Sequence, residues 1–338
     1  MKVAAVLAAA ALALTSASGF AQTAVPDAAQ PPQPPPPQSP VFRSGSALVA
    51  LNVSVQDAGA KYVGGLQSGD FAVYEDGVKQ DVRFFESSAV PLDLIVLIDA
   101  SSSMSDKIQT VHDAAAGFLN TLRPGDRGAV VSFANSVEIL QPLTADRARL
   151  DRAVHGIVAH GATALNNAIY IALKQFGRSA QQDADPRRQA IVVLSDGEDT
   201  SSLVNFDDVL GLARRMGVNI YTVALQSQFA ARTIAEQGGR RYFSESDYSM
   251  KTLARETGAQ SFFPSPLELK GVYGSIANEL ANQYSIGYAP ANLRADGRFR
   301  RVVVQVVTHP ELRPRTRMGY TADGLTIAAR PAGVPPQR

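Results

Sequence analysis

Leu94 to Ile98 is an unbroken apolar run that ends in Asp99 and then in a cluster of hydroxyls, Ser101, Ser102 and Ser103. Such a run predicts a strand buried on both faces, as in a parallel sheet covered by helices. Ala129–Phe133, Ala190–Leu194 and Val218–Leu225 repeat the pattern. Between them apolar residues recur at helical spacing. Ile108, Val111, Ala115, Phe118 and Leu122 share one face of residues 107–122, which Pro124-Gly125 stops. Leu150, Ala153, Val154 and Ile157 mark a helix over 146–158, and Leu165, Ala168, Ile169, Ala172, Leu173 and Phe176 mark another. Asn205 suits the N-cap of a helix carrying Val209, Leu210 and Ala213, with Gly217 as its stop. A last helix carries Leu269, Val272, Tyr273, Ile276, Ala277 and Leu280. Strands alternating with helices over 91–283 predict an α/β fold with a doubly wound, mostly parallel sheet. Two polar stretches, 177–189 and 226–248, interrupt the rhythm and read as loops.

The flanks have a different period. Val49, Leu51, Val53 and Val55 alternate with Ala50, Asn52 and Ser54. Phe71 and Val73 lead into Asp76-Gly77, a strong hairpin signal, and Val78, Gln80, Val82 and Phe84 follow. After Tyr284, Val302, Val304 and Val306 alternate with Val303 and Gln305. Neither strand set is sufficient alone. The expectation is one accessory β domain built from both flanks, 41–90 and 284–321, with the α/β domain inserted between them.

Composition narrows the classes. A formal net charge of +1 over 338 residues gives no reason to expect nucleic acid as a partner. The absence of cysteine excludes disulfides, zinc–thiolate sites and thiol nucleophiles. Lys2, the apolar run Val3–Leu14 and the small-residue site Gly19-Phe20-Ala21 have the layout of a secretory signal peptide over 1–21. A proline-rich segment over 22–40 predicts a stiff spacer, and 322–338 a disordered tail. No other run is long or apolar enough to cross a bilayer. The expected location is therefore secreted or periplasmic.

The chemistry concentrates at strand ends. Ligands of open α/β sheets bind just beyond the carboxyl ends of the strands. Asp99, Ser101 and Ser103 fall there after one strand, and Asp196 ends a second continuous apolar strand. Thr163, in Gly161-Ala162-Thr163, stands directly before a helix. Oxygen-only ligands suit a hard cation such as Mg²⁺. Each piece alone could equally be a helix cap or a turn residue.

Together, the Asp99/Ser101/Ser103 triplet, Thr163 and Asp196 resemble the metal-ion-dependent adhesion site of a von Willebrand factor A (VWA) domain, in the family's order and elements. The likeness covers roughly residues 91–283. Gly69–Gly77 and Tyr284–Pro290 also resemble the flanks of a bacterial group of secreted VWA proteins. The resemblance implies that Ser101, Ser103 and Thr163 bind Mg²⁺ (or Mn²⁺ or Ca²⁺) through hydroxyls. It implies that Asp99 and Asp196 bind the ion directly or through water, and that a protein partner supplies a carboxylate to the open position. Many relatives carry an acidic residue after the threonine; here Asn166 and Asn167 stand there. Glu198 and Asp199 could serve as extra ligands but read as solvated loop charges, and His112 and His155 as residues on solvated helix faces. No Gly-rich phosphate loop or nucleophile elbow follows any strand. The expectation is thus a binding module and not an enzyme. A metal-dependent hydrolase acting outside the cytoplasm, and an envelope protein with a vestigial site, are the alternatives.

Overall fold

The computed structural model describes residues 48–87, 90–180, 187–196, 199–225 and 244–322. The signal-peptide segment, the proline-rich spacer, most of the 226–248 stretch and the tail after Ala322 lie outside these residues.

Two sheets organise the chain. The first has the order β6-β5-β4-β7-β8-β9. Its members are β4 (Leu92–Asp99), β5 (Arg127–Phe133), β6 (Val137–Thr144), β7 (Arg188–Ser195), β8 (Asn219–Ala224) and β9 (Ser261–Phe262). All neighbours pair in parallel except β5 and β6. Every residue of β4 is buried, because helices cover both faces. Leu94, Val96 and Ile98 pack under α1 (Ile108–Leu119), α2 (Arg147–His155) and α6 (Leu269–Ala281). Ile95 and Leu97 point the other way, under α3 (Leu165–Ala180), α4 (Phe206–Met216) and α5 (Glu245–Glu256). This is the doubly wound arrangement expected from the apolar runs.

The caps agree with the sequence where their chemistry was readable. Asn205 Oδ1 accepts from Asp208 N–H at 2.9 Å, and Gly217 closes α4 at φ 67°. The structure adds elements that the apolar pattern did not reveal. β6 is an exposed edge strand interrupted by Pro142, which cannot donate to a ladder. α5 begins inside the stretch expected to be loop, at a Ser244–Asp247 capping box.

The second sheet is antiparallel, in the order β12-β1-β10-β3-β2-β11-β13. It interleaves β1 (Val49–Gln56), β2 (Phe71–Glu75) and β3 (Val78–Ser87) with β10 (Tyr284–Ala289), β11 (Phe299–Val306), β12 (Arg313–Arg315) and β13 (Gly319–Thr321). Both flanks therefore build one sheet, as expected. β10 lies between β1 and β3, so neither flank could form it alone. Asp76 and Gly77 form the β2–β3 turn with φ 48° and 84°, the positive pair that a tight hairpin requires.

Glu279 on α6 ties this sheet to the α/β domain. It is 0 % exposed and accepts from Ser54 Oγ at 2.8 Å, Tyr62 OH at 2.6 Å and Tyr221 OH at 2.7 Å. The Arg315 guanidinium lies 2.5 Å from the same carboxylate. Burial and the adjacent Glu279 charge push the hydroxyls of Tyr62 and Tyr221 well above the usual tyrosine range, so both remain donors.

Candidate metal centre

Three loops meet at the carboxyl edge of the parallel sheet. The first follows β4. Asp99 is 0 % exposed and is fixed from two sides: Ser101 N–H donates to Oδ1 at 2.8 Å, and Ser195 Oγ donates to Oδ2. Burial raises its affinity for a proton, and the hydrogen bonds from Ser101 and Ser195 oppose that rise. Ser102–Met104 then forms one 3-10 turn before α1 begins at Ile108.

The second loop lies between α2 and α3. It is stitched to the first by Ser102 N–H donating to Gly161 O at 3.0 Å and His160 N–H donating to Ala100 O at 2.6 Å. Gly161 has φ 74°, and a Cβ there would fall 2.7 Å from Asn135 Oδ1. Only glycine makes this close approach without displacing Asn135, whose Oδ1 accepts from Ala162 N–H. Thr163 follows. Its N–H donates to Thr200 Oγ1 at 3.1 Å, and its carbonyl accepts from Thr200 and Ser201 N–H. These bonds use its backbone and leave its hydroxyl out.

The third loop follows β7. Asp196 Oδ1 accepts from Ser103 Oγ at 2.7 Å, and Ser103 Oγ lies 3.0 Å from Ser101 Oγ. Asp99, Ser101, Ser103 and Asp196 thus stand in one polar cluster, with Thr163 on the adjoining loop. Asp199 is not a free loop charge, contrary to expectation. Its carboxylate accepts from Asn166 N–H at 2.9 Å and Ser202 N–H at 2.9 Å, and so caps α3. Asn167 Oδ1 accepts from Leu203 and Val204 N–H. The two asparagines and Asp199 therefore lock the second loop to the third.

Lys107 is the member that the sequence did not reveal. Its side chain is 6 % exposed, and its ammonium pairs with Asp196, whose side chain is 1 % exposed. It also donates to Ser103 O at 3.0 Å. A cation at a helix N-terminus opposes the helix dipole, and its burial is costly without a partner. A lysine at the first position of a predicted helix was the available signal. Its partner, 89 positions away, was not visible.

The donor set fits a hard divalent cation. It consists of oxygens only, two carboxylates with serine hydroxyls between them. Among the described residues no group of three or more His, Cys, Asp or Glu forms a metal cluster. The other oxygens in the cluster are the Ser101 and Ser103 hydroxyls, not further carboxylates or imidazoles. His112, expected on a solvated face, is buried, and its Nε2 has no hydrogen-bond partner among the described residues. Its ring lies 5.7 Å from that of His155.

Comparison with known proteins agrees with this architecture. The family model for the von Willebrand factor type A domain matches residues 93–256. The chain is 26 % identical to mouse inter-alpha-trypsin inhibitor heavy chain 4, covering 65 % of this chain and 25 % of that protein. It is 28 % identical to a UPF0353 protein of Mycolicibacterium paratuberculosis, covering 59 % of this chain and 63 % of the relative. The chain thus spans less than two thirds of the length of these relatives. Among solved structures, a von Willebrand factor type A protein from Catenulispora acidiphila aligns with a TM-score of 0.48 at 14 % identity, over 78 % of this chain and 71 % of that one. Residues 93–256, from β4 to α5 of the doubly wound sheet, thus match the VWA domain.

Proposed function

We propose that this protein is an extracytoplasmic binding module that captures a protein partner through a divalent cation, with no catalytic step of its own. VWA domains mediate protein–protein interactions. The observation that carries the reading is the hydrogen-bonded chain from Asp99 through Ser101 and Ser103 to Asp196 at the sheet's carboxyl edge. Asp99, Ser101, Ser103, Thr163 and Asp196 would hold Mg²⁺, with Mn²⁺ or Ca²⁺ as substitutes. The ion supplies a Lewis-acidic position that a partner's carboxylate can enter. With few charged ligands the ion keeps a demand for negative charge, and exchangeable water leaves room for that carboxylate. Two exposed apolar side chains on the same loops, Val158 at 73 % and Leu203 at 95 % exposure, offer contact area beside it. Export rests on the leader pattern of residues 1–21. Among the described residues no helix is long and apolar enough to cross a membrane.

Titration calorimetry with Mg²⁺ and Mn²⁺ tests the site. The wild type should bind, and Asp99→Ala and Asp196→Ala should each weaken binding by about tenfold or more. Equal heats in all three proteins would sink the reading. Capture of an envelope partner from extract should disappear in EDTA and return with added Mg²⁺.

A further inference from the structure

The lysine in the site has no role in the reading above, although it is one of the most constrained side chains there. Lys107 is buried, sits at the N-terminal end of α1 against the helix dipole, and spends its ammonium on Asp196 and on Ser103 O, with the solvent-exposed Asp106 carboxylate farther off at 3.9 Å. Asp196 in turn accepts from Ser103 Oγ with its other oxygen. The ammonium therefore occupies the carboxylate that a divalent ion would need. We infer that Lys107 is a tethered cation that holds the site assembled without metal, and that a divalent ion must displace it from Asp196 in order to bind. The inference rests on the metal-site reading and deepens it.

The charge count gives the reason. Asp99 and Asp196 bring two negative charges to the cluster, and Lys107 returns one positive. A divalent ion joining them with the ammonium in place leaves the buried cluster net positive, with two cations in repulsion, since the exposed Asp106 carboxylate is screened by solvent. With the ammonium moved away the two carboxylates match the ion. Binding is therefore an exchange of one cation for another, and the lysine sets how much metal the exchange requires. Without metal, the same ammonium prevents two buried carboxylates from repelling across Ser101 and Ser103. The loops then stay assembled when no ion is present.

The test compares wild type, Lys107→Met and Lys107→Arg, with Mn²⁺ as the probe. Lys107→Met should bind Mn²⁺ about tenfold tighter or more, since a competing unit charge beside the ion is gone. Its melting temperature in EDTA should fall by several degrees, and Mn²⁺ should raise it by more than in the wild type. Lys107→Arg should stay near the wild type. If Lys107→Met binds Mn²⁺ no more tightly than the wild type, the exchange is wrong while the metal site stands. If neither protein binds Mn²⁺ at millimolar concentration, the metal site itself fails and takes the exchange with it. A measurement on the wild type avoids any folding defect of the variant. Acetylation of Lys107, followed by peptide mass spectrometry, should rise several-fold on adding Mn²⁺ while other lysines keep their rates. Unchanged labelling of Lys107, in a protein that calorimetry shows to have bound Mn²⁺, would overturn the exchange.

Discussion

At the scale of single residues, His112 has a pH consequence of its own. Burial first, and then the neighbouring His155, hold its imidazole below its ordinary value of 6.5. The Ile157 backbone and Asp113 act in the opposite direction, and Asp113 and Asp151 both face His155. The unfolded chain therefore takes up the proton before the folded one does. Stability is complete above the usual histidine range and is lost as pH falls below it. Denaturant midpoints measured from pH 7.5 to 5 should decline in the wild type and decline less in His112→Leu. The same position marks a limit of the sequence. Helical spacing placed His112 on α1 but could not tell whether the neighbouring α2 would cover it. That Asp99, Ser101, Ser103 and Asp196 would meet in one cluster was legible because strand ends and hydroxyl spacing are local signals. Lys107 and Asp199 were not, because their roles depend on partners that only the fold supplies.

At the scale of elements, legibility followed hydrophobic period. β4 is buried throughout and β7 is buried from Ala190 onward, and both announced themselves as apolar runs. β6 exposes Ile139 and Leu140 and contains Pro142, so its pattern matched no strand template. α5 carries its apolar Met250, Leu253 and Ala254 late in the helix, behind a polar first turn. Its readable signal was the capping box: Ser244 Oγ accepts from Asp247 N–H at 3.1 Å, and Asp247 accepts from Ser244 N–H at 3.2 Å. Ser244→Ala removes one of those bonds and should cost about 1 kcal/mol in chemical denaturation. Because the cap lies away from the three loops of the proposed metal site in sequence, Mn²⁺ affinity should stay at the wild-type value. A matching loss of metal binding would mean that α5 supports the site directly.

At the scale of the whole molecule, Glu279 joins the two sheets. Glu279→Ala would strand the Arg315 guanidinium and leave Ser54, Tyr62 and Tyr221 without their common acceptor. Removing one partner of a buried pair costs roughly 3–5 kcal/mol, and a loss of that size should appear in urea unfolding. Glu279→Gln keeps one of the two acceptor oxygens but not the charge and should lose less. The sheet that Glu279 anchors also orders events in time. Val49 pairs with Tyr288 and Phe71 with Val306. A chain emerging from the ribosome thus makes β1 and the β2–β3 hairpin long before their partners exist. Meanwhile the α/β domain can complete its own sheet, and Arg123 and Arg188 then tether the end of α6 through the Ala281 and Leu280 carbonyls. That closes the largest loop before β10 is threaded between β1 and β3, converting a distant pairing into a short-range one. The inserted domain is in this sense the template on which the flanking sheet assembles last, and until then the edges of β1 and β3 are the surfaces most open to mispairing.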